Sequence, residues 1–163
     1  MTSTQPSTVR VNDVDLAYVE QGQGDSVVLV HGGVNDYRSW RRQMEPFAAR
    51  RRVIAYSRRY HWPNARPDGD VPYRLAQHVA DLGSLIETLD LAPARLVGSS
   101  YGAMTQLTLA VRRPEPVRSL VLGEPPLLLW LPQLPGGSEL LESFLTNGFG
   151  PAREALARGE GEA

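Results

Sequence analysis

Apolar residues change their spacing several times along the chain, and each change marks an element. From Val9 the runs STVRV and DLAYVE alternate apolar with polar on either side of Asn12-Asp13, which predicts a β-hairpin. QGQGD (21–25) predicts a turn, and SVVLV (26–30) is a continuous β-branched run, the pattern of a strand covered on both faces; it ends at His31-Gly32-Gly33. Residues 37–48 read as a helix and RVIAY (52–56) as a second buried strand, followed by the loop SRRYHWPNARPDGD. Leu75, Val79, Leu82, Leu85, Ile86 and Leu89 recur at steps of three and four, one face of an amphipathic helix. ARLVG predicts a strand, YGAMTQLTLAVRR a helix and VRSLVLG a strand. Beyond Gly123 the texture changes to the proline-punctuated EPPLLLWLPQLPGG and then the helical SELLESFLTNGF, with no internal repeat along the chain.

Strand and helix alternating at this spacing predict an α/β fold with a mostly parallel, doubly wound sheet and right-handed crossovers. Ligand crevices in such sheets lie beyond the C-terminal strand ends. His31, Ser57, Ser100 and Glu124 all fall at or just past such ends, so one edge is expected to gather them. Residues 1–124 are expected to form this core and 125–163 a separate excursion above it.

Composition narrows the class. The 163 residues are 42% hydrophobic and 21% charged, enough for one domain with a core. All 17 basic residues are arginine, and 18 acids leave a net charge of −1, which gives no global field toward nucleic acid or membrane. Eight arginines between Arg38 and Arg59, with Glu45 the only acid among them, are read as solvated helix and loop positions. There is no cysteine, hence no disulfide, thiolate chemistry or Cys-based metal site; no metal and no cofactor are expected. The start MTSTQPSTVRVND lacks the charged and apolar regions of a leader, and a cytoplasmic protein is the expectation.

Gly98-Ser99-Ser100-Tyr101-Gly102 fits G-x-S-x-G between a predicted strand and a predicted helix. That pattern suits a nucleophile elbow, in which a sharp turn lifts a serine hydroxyl out of the sheet and glycines allow close backbone passage. No G-x-G-x-x-G dinucleotide fingerprint follows any strand. Acyl transfer builds charge on a carbonyl oxygen and needs preorganised N–H donors. Gly33, after the first parallel strand, and Tyr101, after the serine, stand where such donors are needed. His31 is read chiefly as a structural histidine that holds its loop by hydrogen bonds.

The runs VVLVHGG, RVIAYSRRYHWPN, LVGSSYGAM and LVLGEPP together resemble the α/β-hydrolase family over about residues 9–126. The resemblance implies an eight-stranded sheet, a Ser-His-acid triad and a cap inserted after the sixth strand. Ser100 would be the nucleophile, Gly33 and Tyr101 the oxyanion hole, Glu124 a candidate triad carboxylate, and residues from 125 the start of a helical cap. The family order puts the histidine after the acid, yet no histidine follows Ser100. The chain is therefore expected to be truncated before the last two strands, with the triad histidine beyond Ala163. VRSLVLG would then be an unpaired edge open to self-association. Of the histidines present, His78 is expected on a helix surface or flank, and His61, on the same edge of the sheet as Ser100, is read as a pocket-lining or loop-anchoring residue rather than a partner of the serine. His31, Tyr60, His61, Trp62 and Trp130 are candidate substrate contacts, favouring an apolar acyl or alcohol group.

Three functions fit these residues: a serine hydrolase acting on a small-molecule acyl substrate; a non-catalytic remnant that binds through its exposed edge; and a related reaction of the family, such as cofactor-free haloperoxidation or C–C hydrolysis. A dehalogenase would need a carboxylate at the elbow, and Ser100 counts against it.

Overall fold

The computed structural model describes residues 5–66 and 72–159. Residues 67–71 of the Arg/Pro-rich loop, and the last four positions, lie outside the described residues. Six strands form one sheet: β1 (Ser7–Val11), β2 (Val14–Gln21), β3 (Ser26–Val30), β4 (Arg52–Tyr56), β5 (Ala94–Ser99) and β6 (Val117–Gly123), in the spatial order β1-β2-β4-β3-β5-β6. β1 and β2 pair antiparallel, as does β2 with β4, whereas β4, β3, β5 and β6 run parallel. The hairpin turns through Asn12-Asp13, and Asn12 takes the positive φ of 49° that such a tight turn requires and that asparagine tolerates.

β3 is buried at every position because its alternate side chains enter different layers. Val28 and Val30 join Ile54, Leu96 and the inner faces of α2 (Leu75–Thr88) and α3 (Tyr101–Arg112); Val27 and Leu29 join Met44 of α1 (Arg41–Ala48), Val53 and Ala55. Helices thus cover both faces, and each fully buried aliphatic side chain contributes about 2 kcal/mol of transfer free energy. The helix expected over 37–48 opens as a 3-10 turn at Tyr37–Trp40, because the Asp36 carboxylate accepts the Arg38 N–H and tightens the entry.

The parallel register sets the functional edge. Val30 lies beside Tyr56 and Gly98, and Ser99 beside Gly123, so β3, β4, β5 and β6 end together. Leu127–Ala163 forms a second compact unit, with a 3-10 turn at Leu128–Gln133, α4 (Gly137–Ser143), a wide π-type segment at Phe144–Phe149 and α5 (Gly150–Ala157). Gly137 abuts the Leu131 carbonyl with no room for a side chain. No helix among the described residues is long and apolar enough to cross a membrane.

Candidate active site

Ser100 stands alone between the end of β5 and the first residue of α3. Its backbone is held at φ 50°, ψ −120°, a conformation that costs a non-glycine residue about 1–3 kcal/mol. The turn is fixed from both sides: the Ser100 N–H donates to Gly123 O at the end of β6 (2.7 Å), and Ser100 O accepts the Met104 N–H (3.0 Å) to begin the helix. The flanking glycines are steric necessities. A Cβ on Gly102 would sit 2.3 Å from Val30 O and 2.5 Å from His31 O, and one on Gly98 would sit 2.9 Å from the backbone N of Ala103 as well as against the Gln106 side chain. With the backbones this close the Ser100 side chain is pushed to the rim, where it is exposed.

The loop after β3 runs beside that serine. A Cβ built on Gly32 would lie 3.5 Å from Ser100 Cβ, whereas one built on Gly33 meets nothing within 4 Å. Gly33, the residue after the glycine that approaches the serine, is exposed on open space. Tyr101 opens α3, where the first backbone N–H groups have no intrahelical acceptor and the helix dipole adds partial positive charge. Of the two positions named from the sequence as donors, Tyr101 follows Ser100 directly and Gly33 follows the glycine that approaches it.

The three histidines stand in different surroundings. His31 is wholly buried: its Nε2 accepts the Arg58 N–H (2.9 Å), which leaves Nδ1 to carry the proton and to donate to Gly32 O (2.8 Å). It presents no surface to a substrate, and its ring serves the loop, as the structural reading holds. Burial foremost, and then the neighbouring Arg58 charge, push its pKa down to about 3. His78 is not a surface or flank residue: it is 1% exposed on the inner face of α2, in edge contact with Tyr101, and burial pushes it down to about 3. The α2 periodicity placed its leucines correctly, but His78 lies next to Val79 on the same buried face. His61 is half-buried, its ring 4.7 Å from that of His31, with Nε2 3.0 Å from the Tyr73 hydroxyl; burial lowers it to about 4. Among the described residues none of the three hydrogen-bonds the Ser100 hydroxyl.

Glu124, next to the carbonyl that receives the Ser100 N–H, is exposed with φ 50°. Tyr60 takes φ 68° and lies beneath the Arg59 guanidinium (5.6 Å), while exposed Trp62 is stacked on Tyr37 (6.0 Å) and covered by Arg38 (3.9 Å). Trp130 belongs to the second unit and is exposed. Ser57, at the end of β4, is internal, donating from Oγ to Trp62 O (2.6 Å) and accepting from the Tyr37 N–H (3.2 Å).

Two arginines read as solvated are core residues instead. Arg59 chelates Asp81 of α2 through Nε (2.6 Å) and Nη2 (2.8 Å) and reaches Asp13 of the hairpin (2.8 Å). Arg58 is 1% exposed and donates to His31 O (3.1 Å), Gly32 O (2.7 Å) and the Tyr73 hydroxyl (2.6 Å). Their acceptors, all of them remote in sequence, left no local pattern; position just after β4, at the edge the other strand ends share, was the one available signal. No group of three or more His, Cys, Asp or Glu among the described residues is placed to hold a metal ion.

A family model described as alpha/beta hydrolase fold matches residues 25–154. Over 111 residues the chain is 40% identical to a Mycobacterium tuberculosis protein provisionally named a non-heme bromoperoxidase, covering 67% of this chain and 41% of that one. It is 39% identical over 104 residues to the 2-hydroxy-6-oxo-2,4-heptadienoate hydrolase of Pseudomonas putida, covering 62% and 37%. The epoxide hydrolase of Vigna radiata superposes with a TM-score of 0.69 at 28% identity, over 72% of this chain and 37% of that one. The chain thus spans about two fifths of the length of these relatives. With a parallel sheet ending in a strained serine turn and a matched span that covers most of its length, the chain belongs to the alpha/beta hydrolase fold family.

Proposed function

We propose that this chain carries the nucleophile and oxyanion half of a serine hydrolase acting on carboxylic esters or related acyl compounds. The observation that carries the reading is the strained, exposed Ser100 at the N-terminus of α3, beside the glycine loop after β3. Ser100 Oγ attacks the acyl carbon while its proton passes to a base, and the carbonyl oxygen becomes an oxyanion facing the Gly33 and Tyr101 N–H groups. Collapse expels the alcohol, which takes a proton, and leaves an acyl-serine; water then releases the acid and restores the hydroxyl. His31 and His78 are buried with depressed pKa values and His61 is engaged with Tyr73, so the base is supplied from outside these three positions. Val34, an exposed valine next to Gly33, supports an apolar acyl group, as does exposed Trp62.

The test is chemical rescue. With p-nitrophenyl acetate the chain is expected to acylate slowly and to accelerate when imidazole serves as the base, beyond the rate imidazole gives without protein, and Ser100→Ala is expected to abolish that protein-dependent acceleration. Equal rates for the two proteins at every imidazole concentration refute the reading. The identity to the Mycobacterium tuberculosis protein supports a second reaction at the same serine, halide oxidation through a peracid formed from a carboxylic acid and peroxide. Bromination that needs acetate, peroxide and Ser100 would favour it.

A further inference from the structure

Arg58 is the most deeply buried charged side chain at the functional edge, and among the described residues no carboxylate pairs with it. Burying a guanidinium without a counter-anion is costly unless its donors are satisfied. They are satisfied in an unusual way. The Nε–Nη2 edge, the fork that ordinarily grips a carboxylate, here takes two successive backbone carbonyls, His31 O at 3.1 Å and Gly32 O at 2.7 Å. Nη1 donates to Tyr73 (2.6 Å), and the guanidinium lies 4.8 Å from the centre of the Tyr101 ring.

Gly32 C=O and Gly33 N–H belong to one peptide unit, which is trans, and in a trans peptide the two bonds point in opposite directions. Whatever grips the Gly32 oxygen therefore aims the Gly33 hydrogen. Arg58 Nη2 and His31 Nδ1 both grip it, and the Arg58 backbone N–H fixes the His31 tautomer that makes the second grip possible. A charged donor on the carbonyl also polarises the peptide and strengthens its N–H as a donor. From this we propose that Arg58 is a positioning residue: its guanidinium clamps the Gly32–Gly33 peptide from behind and thereby orients and polarises the Gly33 N–H as the oxyanion donor. The proposal rests on the serine-hydrolase reading for its catalytic consequence, but the clamp is a property of this chain that is measurable without turnover.

Three measurements on the full chain decide it. In the wild-type protein labelled with 15N and 13C, slowly exchanging Arg58 guanidinium protons with a through-hydrogen-bond coupling to the Gly32 carbonyl carbon are expected; rapid exchange with no coupling overturns the clamp whether or not any variant folds. In Arg58→Met and Arg58→Lys the Gly33 amide resonance is expected to move further than amides of β5 and α3, since lysine keeps the charge and loses the fork. A Gly33 amide unchanged in Arg58→Met overturns it. In the imidazole-assisted reaction Arg58→Met is expected to lower kcat about 10- to 100-fold, bounded by the loss seen when one oxyanion donor is removed, with KM within about twofold. If Ser100→Ala abolishes the reaction and Arg58→Met leaves kcat intact, the clamp has no catalytic role. If Ser100→Ala changes nothing, the hydrolase reading fails by itself and the two magnetic-resonance measurements still decide the clamp.

Discussion

Gly102→Ala is the substitution for which the structure makes the sharpest demand. The added methyl would lie 2.3 Å from Val30 O and 2.5 Å from His31 O, both backbone atoms that no rotamer change can move. Reaching even a 3.0 Å contact requires α3 to withdraw by at least 0.7 Å, the difference between that limit and the 2.3 Å approach. α3 is not free to withdraw, because Leu109 is packed in the core with α2 and Ser100 N–H is bonded to Gly123 O. Overpacking of this kind costs about 1–3 kcal/mol, and two backbone clashes on a braced helix put Gly102→Ala at the upper end. For a domain of this size about 3 kcal/mol lowers Tm by roughly 6–12 °C. Gly33→Ala is the control: its methyl meets nothing within 4 Å, so its effect should stay within about 0.5 kcal/mol. Urea unfolding followed by tryptophan fluorescence, with calorimetry of both variants, measures the difference. Equal midpoints for Gly102→Ala and Gly33→Ala would show that the elbow glycine is not set by its approach to β3.

Arg59→Met leaves the buried Asp81 carboxylate facing the interior and is expected to cost about 3–5 kcal/mol in urea unfolding, with less lost in a double variant that also carries Asp81→Leu. If the single and double variants unfold alike, Asp81 finds compensation elsewhere. Acid should weaken the fold in a particular window. His31 and His78 are held down to about 3 and His61 to about 4 from an ordinary 6.5, so below pH 6.5 the unfolded chain takes up protons that the folded chain refuses, and stability falls as pH drops from 6.5 toward 4. The lowered carboxyls of Asp13, Asp25 and Asp36 act in the same direction only below about their ordinary 3.8, so the upper window reports the histidines. A urea midpoint that stays level or rises between pH 7 and pH 5 contradicts this assignment.

The elements and the serine turn were legible along the chain because their causes are local. The unbroken run at β3, the three-and-four spacing of α2 and the glycines around Ser100 each record a burial or backbone requirement of the segment that carries them. The 3-10 opening at Tyr37–Trp40 was missed because one capping carboxylate, Asp36, overrides the helical spacing there. His78 was misplaced because its neighbours in periodicity are apolar and its aromatic partner, Tyr101, lies on another helix.

Sequence alone determined the α/β alternation, the strand ends and the identity of the nucleophile candidate, since periodicity and steric need act over a few residues. Only the tertiary structure decided which charges are internal. Arg58 and Arg59 are set apart from the arginines before them only by following the end of β4, and what buries them is a carboxylate 22 residues away and two carbonyls 26 and 27 residues away. A long polar side chain can be desolvated wherever distant acceptors converge on it, and that convergence is fixed by how strands and helices meet, which spacing along the chain does not encode.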